Sequence, residues 1–294
     1  MYIQSLSICV PGTKCINNCK FCVSRMHKEE YPNQLDENLP FYDLYLKEYK
    51  KRLEFVRDSG CNTLMLTGNV EPQQNKLFLK AFGEINASLS RPFRWIEMQT
   101  SGTLLWDETA AGDTGNTTKG EQLLRFLRNH VGVSTISLSL SSLYDAENED
   151  IVQPPDGLSI DISKLCKNIK RYGFNLRLSL NMTCSFDRWA PSNVFREAAN
   201  LGADQITIRK LYGDCEGYKA NAELVDKYVE YVAEHGKPLE LLPFGHQKYS
   251  VSGMGIVVDT DCMAIEPSRD LKYLILRPDC KLYSRWDDKG SLLF

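Results

Sequence analysis

The sequence predicts an α/β fold: a partial, TIM-like (β/α)6 barrel followed by a C-terminal extension of strands and a hairpin. Three observations predict it. A short apolar run followed by an amphipathic segment recurs about six times along the 294 residues. The turns between these segments are short, as in parallel βαβ units with right-handed crossovers. Six units also fall short of the eight that close a full barrel.

The first strand is expected over residues 2–10. A helix over 41–59 (FYDLYLKEYKKRLEFVRDS) follows, with apolar residues at three- and four-residue spacing and a stop at Gly60. The later pairs are strand 62–67 with helix 75–89, strand 93–100 with helix 121–130, and strand 135–140 with helix 160–172. Strand 175–181 with helix 192–201 and strand 205–209 with helix 222–234 complete the series. Residues 107–119 (DETAAGDTGNTTK) read as a polar surface insertion. Residues 143–157, with their acids and Pro154-Pro155, read as a long loop on the strand-end side. In the tail, 250–259 and 271–284 read as extended segments and a hairpin turning near Pro278-Asp279. No linker-like composition precedes the tail, so the expected organisation is a core over 1–236 with an extension over 237–294 packed on it in the same domain.

Hydrophobic residues make up 43% and charged ones 25%, a soluble globular balance that excludes collagen-like and wholly disordered chains. Thirty-five basic against 38 acidic residues leave a net charge of −3, so a nucleic-acid partner is not expected. No apolar run reaches the length of a membrane span. The opening residues lack a basic leader followed by an apolar stretch, from which a cytoplasmic chain is expected.

The ten cysteines fall unevenly. Cys9, Cys61, Cys166, Cys184, Cys215, Cys262 and Cys280 are scattered, and most of them read as small buried hydrophobes in a reducing compartment. Cys15, Cys19 and Cys22 instead stand at C-x3-C-x2-C spacing directly after the first strand, behind a Pro11-Gly12 loop. Thiolates are soft ligands for zinc, copper(I) or iron–sulfur clusters. Structural zinc takes four ligands, and no fourth cysteine or histidine follows at a suitable distance; His27 adjoins a charged run. Three thiolates suit a four-iron cluster with one iron left open. A non-catalytic zinc or iron–sulfur binding module is the competing reading.

With Phe21 at the aromatic place, the octapeptide resembles the C-x3-C-x-aromatic-C hallmark of radical S-adenosylmethionine (SAM) enzymes. Thr67-Gly68-Asn69-Val70-Glu71-Pro72 resembles that family's T-G-x-x-E-P turn after the second strand. Gly68 would let backbone approach a ligand, and Glu71 offers a carboxylate to a cation. Asn69 and Val70 replace further glycines; Asn tolerates left-handed geometry, whereas Val prefers extended backbone.

The resemblance spans roughly residues 5–212 and implies a [4Fe–4S] cluster on Cys15, Cys19 and Cys22, with Phe21 beside SAM. It implies that Asn69 and Glu71 orient the SAM amino group. Thr100, in Gln99-Thr100-Ser101-Gly102, and Ser139 and Ser141, on one face of the fourth strand's end, are its further polar contacts. Arg177 and Asn181 share a face of the fifth strand, as candidates for the carboxylate and ribose. Leu211 closes the sixth strand, where family backbone packs on adenine.

The implied reaction is reductive cleavage of SAM to a 5′-deoxyadenosyl radical, which abstracts hydrogen from a substrate. An external one-electron donor of flavodoxin or ferredoxin type is implied as a partner. Arg209, Lys210, Tyr144, Tyr212 and Tyr218 crowd the strand-end side. They suit a small anionic or nucleotide-like substrate, with a peptide as the alternative. Only Cys262 and Cys280 lie beyond residue 215, without C-x2-C spacing, so no second cluster is expected. Gly253-Met254-Gly255 is too short a motif for a phosphate loop.

Overall fold

Alternation within the strands sets which way each one faces. The computed structural model describes residues 3–22, 42–108, 117–156, 158–211, 217–242, 246–260 and 271–286. In β2 (Thr63–Thr67), β3 (Trp95–Thr100), β4 (Thr135–Leu140), β5 (Asn175–Met182) and β6 (Gln205–Lys210), aliphatic residues alternate with mainly polar ones. Successive side chains point to opposite faces. The aliphatic set, such as Leu64, Leu66, Ile136 and Leu178, is fully buried in one core with the helices. The other face presents Thr67, Glu97, Ser139, Asn181 and Arg209. Parallel strands covered on both faces by helices read as continuous apolar runs; these do not, because one face is kept for polar groups.

The helices that cover the apolar face are α1 (Tyr42–Asp58), α2 (Lys76–Ala87), α3 (Lys119–Phe126), α5 (Ile162–Arg171), α6 (Pro191–Asn200) and α7 (Leu224–His235), whereas α4 (Asp145–Val152) lies at the strand ends, its buried Ile151 and Val152 outside that core. In α5, Ile162, Leu165, Cys166 and Ile169 are buried at three- and four-residue spacing. Each such aliphatic side chain contributes about 1.5–3 kcal/mol by leaving water.

Together with β1 (Ile3–Cys9), the first six strands run parallel and neighbour one another in chain order. The tail adds β7 (Lys237–Leu241), β8 (Gln247–Val251), β9 (Met254–Asp259), β10 (Leu271–Leu276) and β11 (Leu282–Tyr283). It extends the sheet at both ends, giving the order β11-β10-β1-β2-β3-β4-β5-β6-β9-β8-β7. Strand β10 lies parallel to β1, and β9 parallel to β6. Among the described residues no pairing joins β11 to β7, so the architecture is a mixed α/β fold on one large, mostly parallel sheet.

Several elements differ from expectation. Residues 143–157 are not a plain loop, because α4 forms within them. Asp145 and Glu147 favour its N-terminus, and Asn148, Ile151 and Val152 bury one face of it. Helix α3 begins at Lys119, two residues early, because Thr118 and Glu121 form a reciprocal capping box. Most of the polar insertion, residues 109–116, lies outside the described residues. Strand β7 was not anticipated; all five of its residues are exposed, so it carries no apolar pattern. Ser252 and Gly253, both at positive φ, turn β8 into β9. The G-x-G pair is therefore a hairpin turn. The expected hairpin near Pro278-Asp279 forms between β10 and β11.

Candidate functional site

Because β1 to β6 are parallel, their C-terminal ends emerge along one edge, where α/β sheets place their ligands. An open cleft of about 200 Å³ lies there. Its lining includes Cys19, Phe21, Gly68, Glu71, Thr100, Ser139, Ser141 and Asn181, drawn from the loops or strand ends after β1 to β5. The structure thus brings most of the sequence-predicted positions together. Asn69, Arg177 and Leu211 are not part of this lining. Arg177 stands near the start of β5, where its guanidinium pairs with the buried Glu97 and donates to Gln205 Oε1 from Nε (2.8 Å) and Nη2 (2.5 Å). Tyr212, Cys215, Cys262 and His27 lie outside the described residues.

Glu71 anchors the centre. Its carboxylate is buried and accepts from Thr100 Oγ1 (2.5 Å), the Ser101 backbone N–H (3.0 Å) and Asn17 Nδ2 (3.3 Å). Burial pushes its carboxyl up from the usual range, against the pull of those donors. A cation entering the cleft would favour the ionised form. Asn17 also donates to Ser101 Oγ (2.8 Å) and accepts from Thr103 Oγ1 (2.9 Å), and the two hydroxyls stand 2.9 Å apart. Asn17 sits between Cys15 and Cys19, so this network ties the cysteine loop to the ends of β2 and β3.

The loop is clamped on two further sides. Toward β2, the Ile16 N–H donates to Gln74 Oε1 (2.8 Å), Gln74 Nε2 donates to the Lys14 carbonyl (2.9 Å), and Asn75 Nδ2 donates to the Pro11 carbonyl (3.0 Å). Toward α4, the Asn18 N–H donates to the Gln153 carbonyl and the Lys20 N–H to the Ile151 carbonyl, each at 2.9 Å, and Lys20 pairs with Asp150 at 2.7 Å. Gln153 adopts left-handed backbone (φ 49°), which ends α4 where the loop meets it. Sequence reading passed over Asn17, Gln74 and Gln153 as spacers; their signal is tertiary.

Gly68, in the cleft lining, is held to glycine by a second constraint as well. A Cβ there would stand 2.7 Å from the Val10 carbonyl oxygen, so the glycine is required by close approach of this chain's own backbone. Val70, the unexpected residue of the turn, is buried over Gly12, where a Cβ would meet its Cγ2 at 2.3 Å. Gly12 and Val70 fit as a pair, which is how the turn accepts a β-branched side chain.

The three thiols are half-buried and lie within electrostatic reach of one another. Burial raises Cys15 above the usual thiol range, while the backbone amides of Asn17 and Glu71 pull it back. Burial, helped by Cys22, Glu71 and Cys15, pushes Cys19 up to about 12. Metal binding would displace these protons. Among the described residues no three metal-ligating side chains are already gathered in metal-binding geometry. The all-sulfur donor set on one loop, opening on a polar cleft, fits an iron–sulfur cluster with an open position.

No protein-family model matches the chain, and no curated protein does. Solved structures do. The structure of anSMEcpe with bound AdoMet superposes with a TM-score of 0.60 at 14% identity, covering 97% of this chain and 75% of that one. Streptococcus suis SuiB bound to S-adenosylmethionine gives 0.54 at 15%, covering 96% and 60%. SuiB bound to the precursor peptide SuiA gives 0.53 at 13%, covering 96% and 59%. Both proteins are radical SAM enzymes. This chain shares their fold. It spans about three-fifths of the length of SuiB. Within that fold, the cysteine loop, the Gly68–Glu71 turn and the polar strand ends surround one cleft. Among the described residues no helix is long and apolar enough to cross a membrane.

Proposed function

We propose that the protein is a radical SAM enzyme. Its core would be a partial (β/α)6 barrel over residues 1–236, with 237–294 an extension of the same domain in a cytoplasmic setting. The observation that carries the reading is the network that fastens the loop of three free thiols, through Asn17, to a buried carboxylate lining the same cleft. Cys15, Cys19 and Cys22 would hold a [4Fe–4S] cluster. When bound, that group supplies one electron for cleavage of the SAM sulfonium, and so the radical that abstracts hydrogen from substrate.

Around it the chain's own residues bind and orient. Glu71 presents a carboxylate to the SAM ammonium; Thr100 and the Ser101 amide fix its rotamer, so little reorganisation accompanies binding. Phe21, 6.5 Å from the Tyr218 ring, offers an apolar wall. Ser139, Ser141 and Asn181 present hydroxyl and amide groups for ribose or carboxylate oxygens. An external flavodoxin- or ferredoxin-type protein would deliver the electron. The substrate is proposed to be a small molecule.

Anaerobic reconstitution followed by reduction in the presence of SAM tests this. Formation of 5′-deoxyadenosine supports it. One tightly held zinc with no 5′-deoxyadenosine would identify a zinc-binding module instead.

A further inference from the structure

The row of strand-end side chains does not stop at the cleft. Asn181, which lines it, stands in register with Arg209 on β6, and Arg209 with Asp259 on β9. Register partners on adjacent parallel strands share a face and lie about 5 Å apart. His246, just before β8, brings Nε2 to 3.6 Å from Asp259 Oδ1, beyond hydrogen-bond length. Two atoms in this row are orphaned: Arg209 Nε and Asp259 Oδ1 are both buried without a hydrogen-bond partner. Neighbours in register, they are nevertheless not joined as an ion pair among the described residues. A buried guanidinium nitrogen and a buried carboxylate oxygen left without hydrogen bonds are costly unless a ligand supplies the partners.

We propose that Arg209 and Asp259 form the substrate subsite, and that the substrate is a free amino acid or a close derivative keeping its α-ammonium and α-carboxylate. This rests on the radical SAM reading for its placement beside SAM. The planar fork of Arg209 donates to a carboxylate, while Asp259 accepts from an ammonium. A free amino acid carries both on one carbon, as the methionyl end of SAM does, at a separation that spans two adjacent strands. An interior peptide residue carries neither. A phosphate would set its charge against Asp259. The subsite also gives the tail a role, since β9 and the segment before β8 contribute Asp259 and His246.

Ligand-observed saturation-transfer NMR on the full chain tests the proposal without requiring SAM cleavage, so its failure is distinct from failure of the enzymatic reading. The probes are the standard free amino acids at millimolar concentration, their N-acetyl derivatives, the matching decarboxylated amines and inorganic phosphate. At least one amino acid should give a signal that its N-acetyl and decarboxylated counterparts do not. In Arg209→Gln and Asp259→Asn the affinity should fall about tenfold or more, with the melting transition kept. The absence of any amino-acid signal, equal signals from the blocked or decarboxylated probes, or binding of phosphate in their place would overturn it. The probe comparison on the unaltered chain decides the matter even where a variant fails to fold.

Discussion

Replacing Asn17 with alanine separates the cysteine loop from the rest of the site without touching a cysteine. The residue is 4% exposed, and its side chain makes three hydrogen bonds, to Glu71, Ser101 and Thr103. A buried neutral hydrogen bond is worth about 1 kcal/mol net. The bond to the Glu71 carboxylate is worth somewhat more, although its 3.3 Å length places it at the low end. The expected cost is about 3 kcal/mol, or a fall of roughly 5 °C in Tm for a chain of this size. Ser101 and Thr103 keep their mutual hydrogen bond, and Glu71 keeps two donors, so the loss stays below that of an uncompensated buried charge. Asn17→Asp is the sharper variant, since it keeps the volume but sets a second carboxylate against Glu71; at neutral pH it should be at least as destabilised as Asn17→Ala. Equilibrium denaturation with an unchanged m-value measures the first effect, and iron content after reconstitution measures the second, which should also fall. If Asn17→Ala stays within about 0.5 kcal/mol of the parent, the range of an inconsequential surface change, and loads iron normally, the network does not hold the loop.

Gly12→Ala should be destabilised by its clash with Val70, and Val70→Ala in the same chain should relieve it; a double-mutant cycle should return a coupling of about 1–3 kcal/mol, whereas additivity would remove the pairing. Gly68→Ala meets the Val10 carbonyl, a backbone atom that no second substitution shortens; a loss of about 2 kcal/mol or more is expected by denaturation, and a neutral result would show that β1 and the turn can separate. Cys22→Ser should lose most of the iron bound after reconstitution, while Cys166→Ser, buried in α5, should keep it. Equal loading of the two variants would remove Cys22 from the ligand set. Asp150→Asn opens an ion pair whose carboxylate is 63% exposed, so it should cost under about 1 kcal/mol; a larger loss would mean that the backbone clamp on the loop depends on it.

The repeating core was legible because strands such as Thr135–Leu140 and helices such as Ile162–Arg171 state their period in the local sequence. The same alternation already placed Ser139 and Ser141 on one face, and Arg177 and Asn181 on another strand's matching face. It could not say how far along the strand each lies from the cleft. Asn181 reaches it, whereas four residues earlier Arg177 is held by Glu97 and Gln205. Helix α4 was hidden because only one narrow face of it is apolar, and β7 because all its residues are exposed. The places of the tail strands, β10 beside β1 and β9 beside β6, depend on pairing across distant sequence, which local periodicity does not record. Asn17 was invisible for the same reason: its partners are 54 to 86 residues away.

Electron paramagnetic resonance of the reduced, reconstituted chain, recorded before and after addition of SAM and beside its iron content, bears most directly on the central assignment. The three-thiol loop predicts about four irons per chain and a spectrum that changes when SAM occupies the open position. A spectrum indifferent to SAM, or a chain that takes up a single zinc in place of iron, would contradict it.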